Sequence, residues 1–227
     1  MRRVMKAITV ATVGLAATAA TADAASINLS PVQSCYLAKK SATLNGAGFT
    51  PGGFVNVTVD GQSGGGTQAD TAGNFAGQFN FGPMNAVKTH TITATDATDT
   101  TITATTTFVG TTHQVATKNS RGKPGKKVKL RGYGFIFGRK AFMHVRGHGI
   151  KSNKFLARPK APCGTFTVKK AFVPSSAPIG KYRVQFDHVK KYSKRTPEKL
   201  VYELTVFRTF NSTAFGGAGW ALAPVSG

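Results

Sequence analysis

The sequence predicts an all-β fold made of two antiparallel β-sandwiches in tandem, and three observations support this. Short runs of residues alternate between apolar and polar side chains, which is the pattern of half-buried strands. Clusters of Gly, Asp, Asn and Ser separate these runs and favour turns. A Gly-x-Gly-Phe motif occurs twice, at 46–49 and at 132–135, and each copy precedes an alternating run.

The first 24 residues are predicted to be a secretory signal peptide. Arg2, Arg3 and Lys6 form a charged start, residues 7–22 are uncharged and mostly apolar, and Ala22-Asp23-Ala24 has the small residues of a cleavage site. The apolar run is short for a membrane span, although an uncleaved anchor stays open as the alternative. Residues after the arginine pair match a twin-arginine signal poorly, so we expect export through the general secretory route.

Runs typical of strands recur at similar spacing through the rest of the chain. Val, Ile, Thr and Phe dominate them, and these residue types favour strands. The glycine-rich stretch 61–66 is predicted to be a flexible turn between two of them. The predicted strands cover 54–59, 75–81, 89–95, 101–109, 126–131, 141–146, 163–168, 180–186 and 200–206.

Composition and charge change abruptly near residue 112, where we place a domain boundary. Residues 26–112 contain 3 basic and 4 acidic residues, whereas residues 113–227 contain 24 basic and 3 acidic residues. The sequence therefore predicts a neutral domain at 25–112 and a strongly basic domain at 113–210. The Gly- and Ala-rich residues 211–227 are predicted to form a flexible tail.

Cys35 and Cys163 are the two cysteines of the sequence. We expect one disulfide between them, because unpaired exposed thiols are unfavourable in the oxidising space that an exported protein enters. Two separately buried thiols are the alternative. The disulfide would join the start of the first unit to the middle of the second.

Two motifs of the first unit stand out: Gly46-Ala47-Gly48-Phe49-Thr50-Pro51-Gly52 before an alternating strand, and Thr71-Ala72-Gly73-Asn74-Phe75 after it. With these motifs the first unit resembles the bacterial immunoglobulin-like repeat domains of secreted and cell-surface proteins. The second unit keeps Gly132-Tyr133-Gly134-Phe135 and Gly164-Thr165-Phe166 but lacks the Pro-Gly turn. The resemblance implies tandem immunoglobulin-like sandwiches that serve as spacers, adhesive stalks or binding modules, and fold analogy does not choose among these.

The sequence offers no convincing catalytic or metal-binding constellation. Gly61-Gln62-Ser63-Gly64-Gly65 has the pattern of a nucleophile elbow, but no helical stretch follows it as that turn requires. His144 and His148 lie in a strand-and-turn segment with no nearby Cys or carboxylate, so we expect two partly exposed histidines. Asp187 and the other acids of the second unit lie among cations that keep them ionised. We therefore expect no enzyme activity, no cofactor and no metal.

The basic surface of the second unit is the strongest functional signal. Its like charges repel one another at a cost in stability, which favours a role in binding a polyanion over a compositional origin. Tyr192 lies in a lysine-rich loop and is the best candidate for stacking on a sugar or a base. The predicted polyanion-binding residues are Lys127, Lys129, Arg131, Arg139, Lys140, Lys190, Lys191, Tyr192, Lys194 and Arg195.

We therefore expect an exported, non-enzymatic bacterial protein, secreted or attached to the cell surface, whose basic domain binds an anionic polysaccharide or another envelope polyanion. One alternative is a purely structural surface spacer or scaffold whose charge serves solubility. Another is extracellular nucleic-acid binding, in which phosphate contacts also dominate. No transmembrane segment is expected in the mature chain, and the sequence gives no indication of the ligand's identity or of the oligomeric state.

Overall fold

The computed structural model describes residues 24–84, 86–211 and 214–225. The predicted signal peptide, 1–24, lies outside these residues except for its last position. No helix in this part of the chain is long and apolar enough to cross a membrane.

The first unit contains eight strands in the part of the chain that the structure describes. They are β1 (Ser26–Ser30), β2 (Tyr36–Leu37), β3 (Ser41–Ala47), β4 (Phe54–Val59), β5 (Gln62–Gln68), β6 (Phe75–Asn80), β7 (Lys88–Asp96) and β8 (Thr103–Thr111). One sheet has the order β1-β3-β6 and the other the order β2-β8-β7-β4-β5. The side chains between the sheets form one buried cluster that extends from Ile27 to Phe108.

The described residues of the second unit form nine further strands. They are β9 (Gln114–Thr117), β10 (Arg121–Gly122), β11 (Val128–Tyr133), β12 (Ala141–Gly147), β13 (Ile150–Ala157), β14 (Phe166–Lys170), β15 (Gly180–Asp187), β16 (Leu200–Asn211) and β17 (Ala214–Pro224). The sheets have the orders β14-β11-β9 and β10-β17-β16-β15-β12-β13. A second buried cluster, from Val115 to Trp220, fills the space between them.

The strand orders confirm the predicted all-β fold class of tandem immunoglobulin-like sandwiches. In the first unit β1, β3 and β6 of the small sheet correspond to the first, second and fifth strands of a standard immunoglobulin-like sandwich. In the large sheet β4, β7 and β8 correspond to its third, sixth and seventh strands. In the second unit β9, β11 and β14 take the places of β1, β3 and β6, while β12, β15 and β16 take those of β4, β7 and β8.

Matching glycines show that the two units repeat each other in detail. Gly46 on β3 and Gly132 on β11 each lie under the ring of a phenylalanine on the partner strand, where an added Cβ would collide with the ring of Phe75 or Phe166. The amide of Phe49 donates to the carbonyl of Gly73 at 3.1 Å, and Phe135 repeats this contact with Gly164 at 3.2 Å. The recurring glycine motif therefore marks a recurring packing arrangement.

The prediction of a flexible tail at 211–227 is wrong for the described residues 214–224, which form strand β17. Strand β17 pairs along β16, with Val206 opposite Trp220 and Leu204 opposite Leu222. Trp220 is 1% exposed, its ring lies 5.1 Å from that of Phe172, and its Nε1 donates to the carbonyl of Lys123 at 3.0 Å. The Gly- and Ala-rich composition suggested mobility, but a single buried tryptophan anchors the strand.

The prediction of a flexible turn at 61–66 is also wrong. Most of this stretch belongs to β5, which pairs with β4 from Val59 opposite Gln62 to Phe54 opposite Gln68. Its side chains are almost all exposed, so the alternation of polar and apolar residues that identifies a strand is missing. Backbone pairing with the apolar strand β4 determines its conformation.

Candidate polyanion-binding groove

Strand β11 presents cations on the outer face of the small sheet of the second unit. Leu130 is fully buried in the core, while Lys129 and Arg131 are exposed. The neighbour opposite Lys129 on β14 is Lys169, which is also exposed. Like charges directly opposite each other destabilise a sheet, so an anion bound on this face would relieve a repulsion built into the register.

A groove of about 700 Å³ runs beside this face. Lys129, Arg131 and Tyr133 of β11 line one part of it, and Arg158 and Lys160 from the segment between β13 and β14 line another. Val87 of the first unit also contributes to the wall. No carboxylate lies among these lining residues, so the groove combines four cations with two aromatic rings, those of the half-buried Tyr133 and the buried Phe166.

Backbone contacts fix the segment that carries Arg158 and Lys160. The amides of Lys160 and Thr165 donate to each other's carbonyls at 2.8 and 2.9 Å, which closes the loop between them. Within that loop, the carbonyl of Cys163 accepts from the amide of Gly134 at 2.9 Å. Gly164 has a φ of +57°, and a Cβ there would collide with the carbonyl of Phe135, so a glycine is required at this position.

The predicted disulfide is confirmed, and it ties the same loop to the first unit. Cys35 and Cys163 are bonded, with Cα atoms 5.1 Å apart. The loop beside the groove is therefore fixed on one side by the sheet and on the other by the first unit.

The groove cations have no acidic partners among the described residues. The ion pairs found there join Asp60 to Lys88 and to His90, Asp187 to His144, and Glu203 to Lys181. The positive charge of the groove is thus uncompensated within the described part of the chain.

The structure divides the residues predicted to bind a polyanion into separate groups. Lys129 and Arg131 lie in the groove, and Lys127 is exposed just before the same strand. Arg139 and Lys140 are exposed on the turn between β11 and β12. The remaining members lie on the loop between β15 and β16, on the other side of the sandwich; they are Lys190, Lys191, Tyr192, Lys194 and Arg195.

The expectation that the side chain of Tyr192 is exposed is wrong, while its role in stacking on a ligand stays a prediction. Its side chain is half-buried. The guanidinium of Arg146 lies 4.4 Å from the centre of its ring, and the ring of His144 meets it edge-on at 5.9 Å. One face of the ring thus already holds a cation, and Tyr133 in the groove is the better-placed aromatic residue.

The loop that carries Tyr192 covers a buried polar cluster on the outer face of the large sheet. His144, Gln185 and Asp187 are fully buried there, so the expectation of two partly exposed histidines is wrong for His144. Gln185 donates to Asp187 at 2.6 Å and to the carbonyl of Ser193 at 2.9 Å. The side chain of Gln185 therefore holds the loop against the sheet.

The hydrogen bonds of this cluster require His144 to be a cation. Nε2 lies 3.0 Å from a carboxylate oxygen of Asp187, which can only accept. Nδ1 lies 2.8 Å from Oδ1 of Asn153, which already accepts from the guanidinium of Arg146 at 2.6 Å. Both ring nitrogens must donate, and only the imidazolium form can do so.

The direction of the pKa shifts agrees with this assignment. Burial lowers the pKa of His144, but hydrogen bonds to Asp187 and Asn153 outweigh it and raise the pKa above the ordinary value of 6.5. Burial raises the pKa of Asp187, but hydrogen bonds from His144, Gln185 and the amide of Val189 hold it below the ordinary 3.8. The cluster is thus a buried ion pair beneath the loop. No three His, Cys, Asp or Glu side chains of the described residues are grouped to hold a metal ion.

Sequence reasoning missed Arg158 and Lys160 because they lie outside the alternating runs. The signal available was the segment Arg158-Pro159-Lys160-Ala161-Pro162, in which prolines flank the bases. Proline restricts the backbone of such a segment and makes a fixed presentation of the charges more probable than a mobile one.

Comparisons with known proteins assign neither a family nor a function to the chain. No protein-family model and no curated protein matches the chain. Among solved structures, the chain is similar to a tetra-tandem repeat in the extending region of a large adhesion protein, with a TM-score of 0.27 and 13% identity over 89% of this chain. The chain spans 63% of that structure's length. It is also similar to the human OSCAR ligand-binding domain, with a TM-score of 0.28, 10% identity, and coverage of 88% of this chain and 97% of that one.

Proposed function

We propose that the protein is an exported, non-enzymatic cell-surface protein whose basic second unit binds anionic polymers of the cell envelope in the groove. The observation that carries the proposal is the convergence of Lys129, Arg131, Arg158 and Lys160 on one groove with no lining carboxylate. Phosphate- or uronate-bearing glycans fit this chemistry, because their anions would pair with the cations while a sugar ring packs against Tyr133.

The disulfide and the neutral first unit support the same proposal. A disulfide persists in oxidising compartments, which agrees with export. The first unit adds no repulsion for an anionic ligand of the second, since its few charges nearly cancel. Extracellular nucleic acid is the competing ligand, because its phosphates would satisfy the same cations.

Retention on immobilised polygalacturonate, polyphosphate and DNA tests the proposal. The double variant Lys129→Gln/Arg131→Gln should elute at clearly lower salt than the wild type, because two of the four groove cations are lost. Lys151→Gln/Lys181→Gln is the matched control: it removes the same charge from exposed positions on the large sheet. Equal weakening by both double variants would show that only net charge matters and would reject the groove. A preference for DNA would favour nucleic acid over the glycan.

A further inference from the structure

Exposed apolar side chains gather at one end of the large sheet of the second unit. Ile136, Phe137, Phe155 and Val189 are 40%, 64%, 46% and 42% exposed. The strand register places Phe155 beside the end of β15, because Phe142 lies opposite both Phe155 and Asp187. Val189 follows this end of β15, and a hydrogen bond from the amide of Ile136 to His188 places the turn with Ile136 and Phe137 next to it. We call these four residues the apolar tip. Soluble proteins rarely keep such a cluster without an interaction that uses it.

His188 holds the two segments of the apolar tip together. The amide of Ile136 donates to Nε2 of His188 at 3.0 Å, so Nδ1 must carry the proton and donate to the carbonyl of Lys140 at 3.2 Å. The ring of His188 also packs against that of Phe135, which is 3% exposed. The turn that carries Phe137 is thus fixed to the buried core, and its apolar side chains stay presented to solvent.

Cations flank the apolar tip on both segments. Arg139 and Lys140 follow Phe137 on the turn, and Lys190 and Lys191 follow Val189. All four are exposed, and none takes part in the ion pairs of the described residues. Apolar side chains surrounded by unpaired cations match the boundary of an anionic bilayer, where acyl chains lie beneath negative headgroups.

We propose that the apolar tip and its four flanking cations dock the second unit onto an anionic lipid surface. Phe137 and Val189 would enter the boundary between headgroups and acyl chains, while the cations would contact the headgroups. This interaction is additional to polymer binding in the groove. Lipid docking needs apolar and cationic side chains on the same surface, and the apolar tip with its flanking cations has both.

Sedimentation with vesicles tests the proposal. We would use the expected mature chain, residues 25–227, which keeps every described strand and both buried clusters but lacks the apolar segment at 7–22. The chain should bind vesicles of equal parts phosphatidylglycerol and phosphatidylcholine, and not vesicles of phosphatidylcholine alone. Phe137→Ser/Val189→Ser should weaken binding about tenfold or more. Lys190→Gln/Lys191→Gln should also weaken it, by about fivefold per lost charge.

Phe54→Ser is the matched control, because Phe54 is 50% exposed on the first unit. It should bind vesicles like the wild type. Emission from the buried Trp220 confirms that each variant is folded. Equal binding by the wild type and Phe137→Ser/Val189→Ser would overturn the proposal, since charge alone would then explain attachment. Self-association that is lost in the same variant would overturn it as well, because a second copy would be the occupant.

A second variant gives a positive signal. Phe137→Trp keeps a large apolar side chain at the apolar tip, and brominated acyl chains should quench its emission when vesicles are added. Absence of quenching despite sedimentation would overturn the proposal. Retention of Phe137→Ser/Val189→Ser on polygalacturonate separates this proposal from polymer binding in the groove. Normal retention of this variant together with lost vesicle binding would support the apolar tip as a separate lipid-binding site. The groove is tested by its own variant, Lys129→Gln/Arg131→Gln.

Discussion

Replacing His144 by glutamine should destabilise the second unit by about 3 kcal/mol at about pH 6. Breaking a buried ion pair costs about 3–5 kcal/mol, because the partner is left as a buried charge without its counter-ion. Here the partner is Asp187, which would still accept from Gln185 and from the amide of Val189. Those two donors place the expected loss at the lower end of the range.

The loss should depend on pH with a defined sign. The folded state raises the pKa of His144 above 6.5, so its contribution is full below 6.5 and disappears as pH rises through the folded-state pKa. The decline can reach about 1.4 kcal/mol per pH unit. The folded state lowers the pKa of Asp187 below 3.8, so its contribution is lost as pH falls through that lower value. The difference between wild type and variant should be largest between these limits.

Urea denaturation followed by Trp220 emission measures this difference, because the single tryptophan is buried in the second unit. Burial lowers the pKa of His113 to about 4 and lowers that of His188 as well. The free energy of unfolding therefore falls through His113 and His188 as pH drops below 6.5. This loss is the same in the wild type and in His144→Gln, so it cancels in the difference between them. His148→Asn, at an exposed histidine after the same strand, is the control. A difference that is the same at about pH 6 and about pH 9 would show that His144 is not the cation inferred here.

Two further substitutions test the core. Trp220→Ala should lower the free energy of unfolding by about 3–5 kcal/mol, measured by far-UV circular dichroism in urea. The control Val225→Ala, at an exposed position, should have little effect. Equal stability of the two variants would contradict the assignment of β17 to the core. Gly132→Ala should lower the free energy of unfolding by about 1–3 kcal/mol, because the new methyl group forces the ring of Phe166 aside; calorimetry measures this. The control Gly77→Ala has open space around the new Cβ and should be tolerated. Similar melting temperatures of the two variants would refute the packing of Phe166 over Gly132.

Periodicity and turn composition predicted nine of the seventeen strands in the described residues. The strands that were not predicted are β1, β2, β3, β5, β9, β10, β13 and β17. Phe54–Val59 is a strand with the expected bounds, because its alternating valines contact the core directly. The strand β5 was missed because pairing with a neighbour, and not its own side chains, makes it a strand. The strand β17 was missed because its stability depends on a contact between Trp220 and residues about 100 positions earlier, such as Lys123.

The candidate site could be predicted only in part. The alternation in β11 correctly exposes Lys129 and Arg131. Sequence could not show that Arg158 joins them, because that depends on the disulfide-tied loop between β13 and β14. Nor could it show that Tyr192 packs under Arg146, since the loop that carries it is held by the buried pair of His144 and Asp187.

Retention of the expected mature chain, residues 25–227, on isolated cell envelopes across a salt series tests the central claim most directly, with Lys129→Gln/Arg131→Gln run beside the wild type. The account predicts that binding falls steeply with salt, because ion pairs with the polymer are replaced by counter-ions, and that the variant elutes earlier with a shallower dependence. The same salt dependence for the wild type and the variant would contradict polymer binding in the groove. Absence of binding at low salt would favour a structural spacer instead.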